Sequence, residues 1–249
     1  MGQRDDMDSE RELTLTQHLE ELRWRLIKSV VAVALTTIIS FSFLAHRVFD
    51  LLKSRAPDDE GFIYTQVTEM FSTYMKVALI TGVVLALPFI TYQIIMFIAP
   101  ALTRKEKRAL YVILGGGFLL FAGGATFAYF LAVPPAMDFL FNFGDDIARP
   151  QIKIDNYVSV TSQLIFLVGL AFETPLIILF LAAIRVVTPR LLSRYRRYAV
   201  LITFIVAAII TPTVDPVTQC IVAAPILVLY EVSIWLARLV QRRPAPIER

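Results

Sequence analysis

The sequence predicts an all-α integral membrane protein of six transmembrane helices with both termini on the cytoplasmic side. Three observations predict it. Of the 249 residues, 57% are hydrophobic and only 18% charged, with a mean hydropathy of +0.65, an apolar excess that a soluble domain would have to expose to water. Six stretches reach or approach the roughly 20 apolar residues that a helix needs to cross a hydrocarbon core of about 30 Å. Finally, 18 of the 24 lysines and arginines fall in the tails and alternate connections between these stretches, the asymmetry that places such loops in the cytoplasm.

Taken in order, residues 1–25 read as a cytoplasmic tail leading into an amphipathic entry helix. Thr14 and Gln17 stand at capping-box spacing, so a helix is expected to begin near residue 14. Leu15, Leu19, Leu22 and Leu26 then share one face. The first 13 residues are acidic and lack an apolar core segment, so no cleavable signal peptide is expected. The membrane domain covers 26–237, with spans at 26–45, 70–99, 109–133, 157–184, 198–210 and 217–236, and 238–249 form a second cytoplasmic tail. The second span is long enough to tilt. The third carries Gly115–Gly117, Gly123 and Gly124, small residues that let helix backbones approach in lipid. The fifth has 13 residues and reaches only about 20 Å, which calls for a thinned bilayer or a short helix among longer ones. Pro212–Asp215 with Pro216 leave room only for a tight hairpin before the sixth.

Several acidic residues need explaining. Glu21 stands four before Arg25, so it can form an ion pair within its helix. Glu106, among Arg104, Lys105, Lys107 and Arg108, completes a capping box with Thr103. Both carboxylates, however, lie at cytoplasmic helix ends among bases, which also suits a guanidinium ligand. Glu173, in "LAFETPLII", falls near the middle of the fourth span, where an ionisable group is costly and should meet a partner or a watery cavity. Pro175 removes a donor and should leave the Ala171 carbonyl unpaired. Glu173 is then either a protonated acid bonded to freed backbone or a functional carboxylate. Asp215 reads as a turn residue capping span six, and Glu231 as the partner of a cytoplasmic arginine.

Other chemistry is poorly served. The net charge of +3 is small and its bases dispersed, which argues against a nucleic-acid groove. Cys220 is the sole cysteine, so there is no intrachain disulfide. His18 and His46 fall at opposite membrane faces, which leaves no catalytic dyad and no metal site. The "FGDD" at 143–146 lies in an outer loop. No enzyme activity and no cofactor are expected.

In order along the chain, "HLEELRWRL", "LPFITYQIIMFIAPALTRKEKR", "FAYF", "FETP" and "TPTVDPVTQ" resemble the successive motifs of the TatC family, the polytopic core of the twin-arginine translocase. The resemblance runs from about Thr14 to Arg238. It implies a glove-like, concave six-helix bundle in the bacterial plasma membrane. It also implies recognition of twin-arginine signal peptides on folded cargo, recruitment of single-span TatA and TatB, self-association, and export driven by the proton-motive force. Residue by residue, Glu21, Arg23, Phe97, Glu106 and Arg108 fall on the family's signal-peptide site and Glu173 on its intramembrane glutamate. Asp215 and Gln219 fall on the outer hairpin and partner contact, and Phe71 and Lys76, in "TQVTEMFSTYMK", on the outer-loop cap. Two other functions remain open: a proton-coupled small-molecule permease using Glu173, and a scaffold with no ligand of its own.

Overall fold

The computed structural model describes residues 2–54, 62–98, 104–142, 151–183, 186–211 and 215–241. Their side chains are described over 17–54, 62–97, 115–142, 151–182, 186–211 and 215–239. These residues are almost entirely helical. Helix α1 spans Gly2–Ile39, α2 Ala45–Lys53, α3 Glu69–Ile98, α4 Arg104–Phe127, α5 Val133–Asn142 and α6 Ile154–Ala171. They are followed by α7 Thr174–Ala183, α8 Pro189–Arg194, α9 Arg196–Ile210 and α10 Pro216–Gln241. Five helical stretches, 17–53, 69–97, 115–142, 154–182 and 216–239, are long and apolar enough to cross a membrane. The remaining apolar helix, α9, has 15 residues and measures about 22 Å.

Helix α1 does not begin near residue 14. It is continuous from Gly2, so Thr14 lies inside it rather than at its start. The local reason is composition: from Gln3 to Ala56 the chain has no glycine or proline, and a capping signal without a helix breaker does not stop a helix. A π turn at Ser40–Leu44 joins α1 to α2. The wider turn re-aims the apolar face, so that Ala45, Phe49 and Leu52 are buried. A second π turn at Ala128–Ala132 comes just before Pro134 and Pro135, which cannot donate to the preceding turn.

The main core lies at the end of the bundle where α2, α5 and the start of α6 meet. It includes Phe49, Leu52, Val77, Val133, Met137, Tyr157, Val158 and Val222. The Tyr157 hydroxyl donates to the Leu52 carbonyl at 3.1 Å, and one parallel bridge joins Ile63 to Lys153. Helix α1 stands apart from this core. It packs along α3 and otherwise leaves its apolar side chains exposed, as a lipid-facing helix does. It comes close to α3 at Gly82, whose carbonyl accepts from the Thr36 hydroxyl at 2.8 Å. A side chain there would collide with α1, since a Cβ would stand 2.6 Å from the Thr37 Cα.

Candidate functional site

The elements that carry the expected site meet where the first described turns of α1 side chains pack on the last turns of α3. Glu21 is held by Arg25, as the spacing of four allows. Nε donates to Glu21 Oε1 at 2.9 Å and Nη2 donates to the same oxygen at 2.5 Å. The third donor, Nη1, reaches Gln93 Oε1 on α3 at 3.2 Å. One turn beyond Gln93, the Phe97 ring stacks on His18, with centroids 4.3 Å apart and planes 18° from parallel. His18 Nδ1 in turn lies 3.9 Å from Glu21 Oε2. The structure therefore brings Glu21 and Phe97 into one cluster through His18, Arg25 and Gln93. Arg23 is exposed on another face of α1 and makes no ion pair among the described residues. Glu106 and Arg108 belong to the first turns of α4, but their side chains, like Thr103, lie outside the described residues.

Glu173 occupies a break between two helices. Residues 172 and 173 form a turn between α6 and α7, where Pro175 cannot donate back to Ala171. The Ala171 carbonyl is nevertheless satisfied, because the Thr174 hydroxyl donates to it at 2.6 Å. This corrects the expected orphan carbonyl and removes the freed backbone group as a partner for Glu173. The Glu173 carbonyl accepts from Leu176 and Ile177 and starts α7. Its carboxylate rests on α4 beside Gly117, where a Cβ would stand 3.3 Å from Oε2, and it makes no hydrogen bond among the described residues. Gly117 thus gives α4 no side chain at the place where the Glu173 carboxylate stands.

Most of the remaining expected residues hold helices in place. Asp215 is buried, and its Oδ2 accepts from the Thr218 amide at 2.6 Å, an N-cap for α10 with Pro216 at the first helical position. Gln219 donates from its amide to the Phe204 carbonyl at 3.0 Å, tying α10 to α9. Phe71 and Lys76 are both within α3 rather than in the loop before it. Phe71 is exposed. Lys76 Nζ donates to both oxygens of Asp155 on α6, at 2.6 and 2.9 Å, and to Ser159. Glu231 accepts from Arg196 at 2.9 Å.

Sequence reasoning missed Gln93, Asp155 and the part played by His18. The signal for Gln93 was available: a lone amide in the apolar run "ITYQIIMF" must find a partner. For Asp155 nothing in the sequence pointed to Lys76, 79 positions away.

Known proteins align over nearly all of this frame. The family model described as Sec-independent protein translocase protein (TatC) matches residues 17–225. The chain is 39% identical over 242 residues to the Sec-independent protein translocase protein TatC of Aquifex aeolicus, covering 95% of this chain and 100% of that protein. It is 36% identical to the protein of the same name from Carboxydothermus hydrogenoformans, covering 95% and 98%. It is also 35% identical to the chloroplastic form of Arabidopsis thaliana, covering 96% of this chain and 70% of that one. Two crystal structures of the twin arginine translocase receptor TatC, each 40% identical, superpose with TM-scores of 0.76 and 0.78. They cover 90% and 88% of this chain. Helices of membrane-crossing length, a family match from Gln17 to Pro225 and a shared three-dimensional frame agree: the chain belongs to the TatC family of Sec-independent protein translocase proteins.

Proposed function

We propose that the chain is the twin-arginine signal-peptide receptor and core of its translocase. In this reading it crosses the bacterial plasma membrane six times as a concave, glove-like bundle with both termini in the cytoplasm. The domains run as 1–25 entry helix, 26–237 membrane bundle and 238–249 tail. The 18 bases on one set of loops support the orientation, and the 15-residue α9 supplies the sixth crossing where the bilayer is thin.

The observation that carries the reading is the geometry around Glu21. Its carboxylate already accepts a two-pronged guanidinium, the contact that a signal-peptide arginine needs. Glu106 is the second acid. Five residues separate α3 from α4, so the start of α4 stays within about 20 Å of Ile98. Each arginine–carboxylate pair contributes about 1–3 kcal/mol, which suits a reversible reader. Arg23, Phe97 and Arg108 complete the site, with the bases rejecting weaker cations. The apolar part of the peptide then passes toward Glu173. Asp215 and Gln219 present the α9–α10 hairpin to single-span TatA and TatB, and Phe71 and Lys76 form the outer cap. Self-association and the proton-motive force complete the cycle.

The test is export of a twin-arginine reporter in a strain lacking its own copy. Glu21→Gln and Glu106→Gln should each abolish export while the protein still inserts. Undiminished export by both would reject the assignment.

A further inference from the structure

Where α1 meets α3, the acid assigned to reading arginine is not waiting empty. Arg25 occupies it with two donors. The pair is partly shielded, with 20% of the Arg25 side chain and 35% of the Glu21 side chain exposed. Gln93 is 6% exposed, and its amide oxygen takes the third donor of the same guanidinium. A buried amide oxygen is costly to leave unpaired, so Gln93 has a reason to hold Arg25 that is independent of Glu21. A carboxylate and a buried amide from two helices thus converge on one planar, forked cation, the donor set for which this geometry is selective.

Resting on the reading of Glu21 given above, we propose that Arg25 is an internal occupant of the signal-peptide site, which an incoming arginine must displace from Glu21. Gln93 is the positioning residue that retains Arg25 after displacement. Arg25 has one donor on Gln93 and two on Glu21, so it can swing off the acid without losing every partner. The vacated carboxylate then receives a guanidinium of the same shape and charge. Binding of the peptide therefore competes with a contact inside the receptor. Its apparent affinity is lowered by the fraction of molecules in which Glu21 is free.

Competition has a signature that an added or lost contact lacks. Removing the occupant raises the affinity of every ligand that uses Glu21 by one common factor. The experiment measures binding of labelled twin-arginine and twin-lysine peptides to the full chain in detergent, for the parent protein, Arg25→Gln, Arg25→Lys and Glu21→Gln. Arg25→Gln should tighten both peptides about three- to tenfold, the worth of one partly shielded ion pair, and leave the ratio between them unchanged. Arg25→Lys keeps the charge and stem but not the fork, and should gain less. Unchanged or weaker twin-arginine binding in both Arg25 variants, with Glu21→Gln still abolishing it, overturns the occupant and leaves the receptor reading standing. Binding that is indifferent to Glu21→Gln overturns both.

Discussion

Replacing Gly82 with alanine tests how α1 is attached. A Cβ on Gly82 would press on the Thr37 Oγ1 and stand 2.6 Å from the Thr37 Cα and 2.7 Å from its amide nitrogen, whereas real Cβ contacts essentially never fall under 3.0 Å. Two of those three atoms are backbone, so no rotamer change relieves the clash and α1 itself must retreat by several tenths of an ångström or more. The hydrogen bond from Thr36 to the Gly82 carbonyl then stretches, at a cost of about 1 kcal/mol. Overpacking adds about 1–3 kcal/mol, and the better helix propensity of alanine returns up to about 1 kcal/mol. The net loss is about 1–4 kcal/mol, or roughly 2–16 °C in the unfolding midpoint for a chain of this size. The assay is thermal unfolding in detergent, followed through the exposure of buried groups. Gly115→Ala and Gly123→Ala serve as controls, since nothing lies within 4 Å of a Cβ at either, and both should leave the midpoint unchanged or raise it. Thr37→Ala should not rescue Gly82→Ala, because the backbone atoms remain. Rescue by Thr37→Ala, or a Gly82→Ala midpoint equal to the controls, would refute the close backbone crossing.

Three further outcomes follow from side-chain contacts that cap or join the helices. Asp215→Ala should lower the midpoint by an amount matching about 1–2 kcal/mol, because it removes the N-cap on Thr218. Asp215→Asn keeps a capping oxygen and should hold stability, so lost export in that variant would mark a role beyond capping. Breaking Lys76–Asp155, which joins α3 to α6 at 2.6 Å, should cost about 1 kcal/mol given the exposure of the lysine. A double-mutant cycle that finds no coupling would contradict this. The Arg196–Glu231 pair is about half exposed on both sides and should contribute less than about 1 kcal/mol. Arg196→Ala should therefore move the midpoint by no more than about 2–4 °C, and a larger fall would show that the pair does more than its exposure allows.

What the sequence made legible was local. Apolar runs marked the helices, the four-residue spacing paired Glu21 with Arg25, and Pro175 marked the break at Glu173. Asp215 before Pro216 announced the cap on α10. Even locally, one rule competed with another. The capping box at Thr14 did not start a helix, because no breaker precedes it. Thr174, next to Pro175, supplied the donor that the proline withholds. What stayed hidden depends on which helices become neighbours. Gln93 meets Arg25 across 68 positions and Lys76 meets Asp155 across 79. Glu173 owes its setting to a glycine on another helix. None of these pairings has a sequence period, since they follow from packing between helices rather than from the order of residues within one.

Site-specific photo-crosslinking tests the central claim most directly. A photoreactive residue is placed in turn at positions 21, 97 and 106 of the full chain and challenged with a twin-arginine peptide or its twin-lysine counterpart. The receptor reading predicts adducts from all three positions with the arginine peptide, lost when unlabelled arginine peptide competes and weak or absent with lysine. Adducts from none of them, or equal adducts with both peptides, would mean that these residues do not read the twin arginines.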